Sequence, residues 1–66
     1  MHITINGQFK EINDPANLRH IIEKFCKDTS PIIAEVNGDI VKQPSWEQKI
    51  LHDGDQIELV NFVGGG

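Results

Sequence analysis

Sixty-six residues allow one domain at most, at the small end of the usual range. The single cysteine, Cys26, excludes an internal disulfide, and one Cys with three scattered His makes no zinc pattern. Stability must therefore come from an apolar core, which 38% hydrophobic against 24% charged residues allows. Six Lys and Arg against ten Asp and Glu give a formal charge of -4 with no basic stripe, which argues against nucleic acid and anionic membranes as partners. No apolar run approaches the ~20 residues that span a bilayer. The chain opens as a strand rather than as a basic then apolar leader, so no secretory signal is expected. With a free cysteine, this points to the cytoplasm.

In chain order, His2 to Asn6 alternates, with Ile3 and Ile5 on one face and His2 and Thr4 on the other. Asn6-Gly7 is a strong hairpin signal, and Gln8 to Ile12 is the returning strand. The register has two solutions. A two-residue loop puts Phe9 on the Thr4 face, whereas a bulged three-residue loop pairs it with Ile5. The bulge is favoured here, because burying Phe9 stabilises by about 1.5–3 kcal/mol.

Leu18, Ile21, Ile22, Phe25 and Cys26 recur at spacings of three and four, which predicts a helix with Arg19, His20, Glu23, Lys24 and Lys27 outward. Asp14 with Pro15 at the first helical position offers one start, and Asn17 a second cap. The helix is expected to end near Asp28, before Pro31. Ile32 to Val36 reads as a strand, Asn37-Gly38 as a second hairpin turn, and Ile40-Val41 as its return. Pro44, Ser45 and Trp46 open an irregular stretch with one short helical turn. Asp53-Gly54-Asp55 is a tight turn, and Gln56 to Val63 is the last strand.

Hairpin, helix, hairpin, connector, strand is an α+β order in which one helix covers one mixed sheet of four to five strands. The β-grasp (ubiquitin-like) arrangement satisfies it. By analogy with that fold, the last strand lies centrally beside the first.

Few residues offer chemistry. His2, His20 and His52 read as solvated surface histidines, with no nucleophile or carboxylate pair placed beside them by the pattern. Cys26 lies on the apolar stripe near the helix end, away from the cationic or N-terminal settings that activate a thiol, and reads as a small core residue. Trp46 reads as a plug over the open end of the core. The glycines at 7, 38 and 54 are single turn residues and form no phosphate loop. No metal site and no bound cofactor are expected.

The tail is different. Gly64, Gly65 and Gly66 follow a strand that turns apolar on both faces: Ile57, Leu59 and Val63 on one, Val60 and Phe62 with Glu58 on the other. Such a strand is fully buried or partly reserved for a partner, so Val60, Phe62 and Val63 are candidate docking residues. A carboxylate on Gly66 is ionised at neutral pH, with a reference pKa of roughly 3.3–3.7, and needs activation before attack. Glycines make a slender thread that a narrow channel can accept.

Asn6-Gly7 after the first strand, the hairpin Val36 to Val41, and above all Asp53 to Gly66 (DGDQIELVNFVGGG) resemble the ThiS family of ubiquitin-like sulfur carriers in thiamine biosynthesis. The resemblance covers the whole chain, 1–66, as one carrier domain with a flexible tail at 63–66, monomeric on its own. It implies a protein co-substrate rather than an enzyme. A ThiF-type activating enzyme would use ATP to adenylate Gly66. Sulfur from cysteine, supplied through a desulfurase, would replace AMP as a thiocarboxylate, and a ThiG-type thiazole synthase would take that sulfur. Gly65 and Gly64 would thread the tail into partner active sites. Two alternatives remain: the small subunit of molybdopterin synthase, which shares the fold and the Gly-Gly end, and a plain β-grasp binding module with an irrelevant tail.

Overall fold

The computed structural model describes residues 1–13, 15–26 and 32–61. Five strands and one helix follow in the order β1 (His2–Ile5), β2 (Gln8–Glu11), α1 (Leu18–Phe25), β3 (Ile32–Val36), β4 (Asp39–Val41) and β5 (Gln56–Asn61), with a 3₁₀ turn at Gln43–Ser45 before β5. They form one mixed sheet in the order β2-β1-β5-β3-β4. β5 runs parallel to β1 and antiparallel to β3, which is the expected β-grasp order with the last strand in the middle.

Alternation decides which side chains face α1. Ile3 and Ile5 of β1, Ala34 and Val36 of β3, and Ile57 and Leu59 of β5 are buried together with Leu18, Ile21 and Ile22 of the helix. Trp46 closes the core as expected, and its indole Nε1 donates to the Val41 carbonyl at 2.7 Å.

The first hairpin corrects one expectation. Ile5 pairs with Gln8 and Thr4 with Phe9, so the loop has two residues and no bulge. Asn6 and Gly7 both take positive φ, 50° and 80°, as a type I′ turn requires. That turn matches the twist of the strands and fixes the register, and Phe9 goes outward, 66% exposed. Its ring stacks on His2 at 4.9 Å instead of entering the core. Lys10 takes the inward position and sets its ammonium 5.5 Å from the Phe25 ring. Ile12, just past β2, is buried, and its N–H donates to the Met1 carbonyl at 2.9 Å.

Of the two helix starts that the sequence offers, the structure takes the second. Asn17 is the N-cap, its Oδ1 accepting from the His20 N–H at 2.8 Å, and Pro15 lies outside the helix. The residues before α1 are taken by the connector. Asn17 bridges Ile50, and the Leu51 N–H donates to the Ala16 carbonyl at 2.9 Å. The Lys49 and Trp46 carbonyls then accept from Leu18 and Arg19, supplying partners that a free helix end lacks. The helix ends at Phe25 with Cys26 as its C-cap, earlier than the expected end near Asp28. Asp14, Lys27 and Asp28 lie outside the described residues.

Candidate functional site

β5 is the strand that leads to the glycines, and side chains from both hairpin turns hold it. Asn37 Oδ1 accepts from the Gln56 N–H at 2.9 Å, and Asn37 Nδ2 donates to Asp55 Oδ1 at 2.9 Å. Asp55 Oδ2 in turn accepts from the His52 N–H at 2.8 Å. Burial raises the Asp55 pKa. The hydrogen bonds from His52 and Asn37, with the charges of His52 and Lys49, outweigh burial and leave the carboxyl below its ordinary value. Asn6 does the same at the far end of the strand: its Oδ1 accepts from the Leu59 N–H at 2.8 Å, and its Nδ2 donates to the Leu59 carbonyl at 3.2 Å.

Of the candidate site residues, Val60 is described. It sits opposite Ile33 on the sheet face away from α1 and is 53% exposed. Phe62, Val63, Gly64, Gly65 and Gly66 lie outside the described residues. The sheet order brings two further apolar side chains to the Val60 face: Ile33 itself and Ile40 of β4, 64% exposed. Ile40 is opposite Glu35, and Glu35 is opposite Glu58, so two carboxylates face each other across β3 and β5 beside the apolar residues. Like charges so placed are destabilising, and neither is in an ion pair with a described residue.

The remaining chemistry-bearing residues do not join this face. The Cys26 thiol is half-buried, and burial pushes its pKa up, which suits a packed thiol and not a nucleophile. His2 stands between two carboxylates, 3.8 Å from Glu11 and 3.8 Å from Asp53, an arrangement the sequence pattern did not place. All three side chains are exposed, which makes this a weak surface cluster. No group of three or more His, Cys, Asp or Glu among the described residues could hold a metal ion. Among the same residues, no helix is long and apolar enough to cross a membrane.

A model described as the ThiS family matches residues 3–66. A thiazole synthase from Paramagnetospirillum magneticum is 30% identical over 66 residues, a match that covers 100% of this chain and 20% of that protein. The chain thus corresponds to a small part of that relative. The sulfur carrier protein ThiS of Escherichia coli is 29% identical over 66 residues, covering 100% of both chains. The crystal structure of a thiamine biosynthesis protein (ThiS) from Geobacter metallireducens covers 100% of both chains with a TM-score of 0.80. At 24% identity that likeness speaks for the fold alone. The family match runs through all five strands, the helix and the glycine tail, and the chain belongs to the ThiS family.

Proposed function

We propose that this chain is a sulfur carrier for the thiazole branch of thiamine biosynthesis, with the carboxylate of Gly66 as its working group. The observation that carries this is the family match that extends through the tail to Gly66. The end-to-end likeness to the E. coli carrier supports it. The chain is a co-substrate, and partner enzymes do the chemistry. A ThiF-type enzyme binds ATP; a Gly66 carboxylate oxygen attacks the α-phosphorus, and pyrophosphate leaves. A persulfide formed from cysteine by a desulfurase then attacks the acyl carbon through its outer sulfur and expels AMP, and a thiol reductant cleaves the resulting acyl disulfide to the thiocarboxylate. The thiocarboxylate is a better nucleophile than the carboxylate and hands its sulfur to a ThiG-type synthase. A protein named thiazole synthase contains a segment similar to the whole of this chain, which supports that pairing.

The body has a second task, which is to be recognised. Val60 is the docking residue of the described strand, joined on the same face by Ile33 and Ile40. Phe62 and Val63 are the other docking residues proposed from the sequence, and Gly64 and Gly65 thread the partner's channel. Glu35 and Glu58 favour a partner that brings a cation to this face.

Intact mass after incubation with the activating enzyme, ATP and a sulfur source tests the reading. The expected product has one oxygen replaced by sulfur, located at Gly66 by fragmentation. An unchanged mass, with the same enzyme active on a known carrier, refutes it. Consumption of the product by molybdopterin synthase rather than thiazole synthase would reassign the pathway.

A further inference from the structure

We propose that Asn6 is a positioning residue for the transfer: its amide clamps β5 at Leu59 and so sets the direction in which the tail leaves the body. This rests on the carrier reading above.

The case begins with what β1 does not reach. It pairs with β5 through Thr4 and Ile5 only, with Thr4 N–H to Asp55 O at 3.0 Å and Asn6 N–H to Ile57 O at 2.9 Å. At Asn6 the backbone turns away into the hairpin, and no β1 backbone lies opposite Leu59. The Asn6 side chain stands in for the missing ladder step, accepting from the Leu59 N–H and donating to the Leu59 carbonyl. On that flank it is the last hydrogen-bonded hold among the described residues, two positions before β5 ends at Asn61. β3 pairs with β5 as far as Asn61 on the opposite flank, so without the clamp the root is held from one side only. A hollow of about 280 Å³ lies beside the clamp, bordered by Asn6, Phe25, Cys26 and Leu59.

The turn alone does not demand this residue. Gly or Asp would also accept positive φ there. Only the asparagine amide offers both the acceptor and the donor that one strand residue needs. Asn37 is the internal comparison. It occupies the same place in the second turn but pins Gln56, at the opposite end of β5. A purely structural role belongs to both asparagines, whereas a role in aiming the tail belongs to Asn6. While the body is docked, a root held on the β3 flank alone lets the carboxylate sample more non-productive positions. The loss then falls on kcat and not on KM.

The test uses the full chain as wild type, Asn6→Gly and Asn37→Gly, with Asn6→Asp as a variant that keeps the acceptor and loses the donor. Amide hydrogen exchange on the carrier alone reads the clamp. Asn6→Gly is expected to speed exchange at Leu59 by about tenfold or more, with Ile57 unchanged. Adenylation kinetics read the positioning. Asn6→Gly is expected to lower kcat about three- to tenfold with KM held within about twofold, Asn6→Asp to fall between, and Asn37→Gly to keep the wild-type kcat. Wild-type exchange at Leu59 in Asn6→Gly overturns the clamp. A loosened Leu59 with unchanged kcat, or an equal kcat loss in Asn37→Gly, overturns the positioning role. Should Asn6→Gly not fold, Asn6→Asp decides by the same two readouts. A wild-type chain that is never adenylated overturns the carrier reading and the positioning role, while the Leu59 exchange still decides the clamp.

Discussion

Replacing Ile21 and Phe25 separately by Ala measures how α1 is seated. Both lie on the apolar stripe of the sequence, and periodicity alone assigns them equal weight. Burial separates them. Ile21 is 2% exposed and faces the centre of the sheet, whereas Phe25 is 36% exposed at the helix end. Ile21→Ala removes about three methyl or methylene groups at about 0.8 kcal/mol each. The cavity left behind raises the total to about 3–4 kcal/mol. Phe25 already keeps part of its ring in water, with the Lys10 and Lys24 ammonium groups 5.5 and 5.7 Å from its centre. Its truncation should cost about 1–2 kcal/mol, well under the range for a fully buried ring. A domain of this length has roughly 3–10 kcal/mol in all. Urea denaturation should therefore find Ile21→Ala near the edge of folding and Phe25→Ala clearly folded, with similar slopes. Equal losses, or a larger loss at Phe25, would refute the placement of the helix on the sheet.

Three other outcomes follow from particular contacts. Phe9→Ala should cost less than about 1 kcal/mol by urea melt, because the ring is exposed, and a loss above about 2 kcal/mol would reinstate the bulged register. Asp55 has its folded pKa below the ordinary value, so its stabilisation is present above the unfolded-state pKa and is lost as pH falls through the folded one. Melting temperature should thus drop more steeply on acidification below about pH 4 in the wild type than in Asp55→Asn; parallel curves would contradict the assignment. Val60→Ser should change stability by less than about 1 kcal/mol yet raise the KM for activation several-fold, and an unchanged KM would remove Val60 from the docking face.

Much of the fold was legible because period and turn chemistry agreed. Ile3, Ile5, Ile57 and Leu59 alternate in sequence and in space, and Asn-Gly marks both hairpins. Phe9 was misread because side-chain burial was weighed above turn geometry. A type I′ turn fixes the backbone pairing, and a side chain then takes whichever face the register leaves. The choice between the two helix starts, Asp14-Pro15 and Asn17, is tertiary. Asp14-Pro15 is a sound local signal, but residues 16 and 17 pair with residues 50 and 51, which no local rule contains. In the site, the two-sided apolarity of β5 exposed Val60 to inference. Ile33 and Ile40 were not legible, since only the strand order brings them beside it. Asn6 was read as a turn former, and its second use depends on Leu59, 53 residues away.

On the proposed reading, recognition and delivery meet on one strand, and that has a geometric consequence. Val60 and the root of the tail both belong to β5, which is held on one flank by β3 and on the other by β1 and the Asn6 amide. Val60, the proposed docking residue, therefore sits on a strand that is held along both flanks. Gly66 lies six residue steps beyond Val60, and an extended chain spans at most about 3.3–3.6 Å per residue. A partner that receives Val60 must place its reacting centre within about 20 Å of it. The opposed Glu35 and Glu58 fit the same economy of design. Their repulsion weakens the isolated sheet, and under the proposed docking a cation brought to this face by the partner would relieve it.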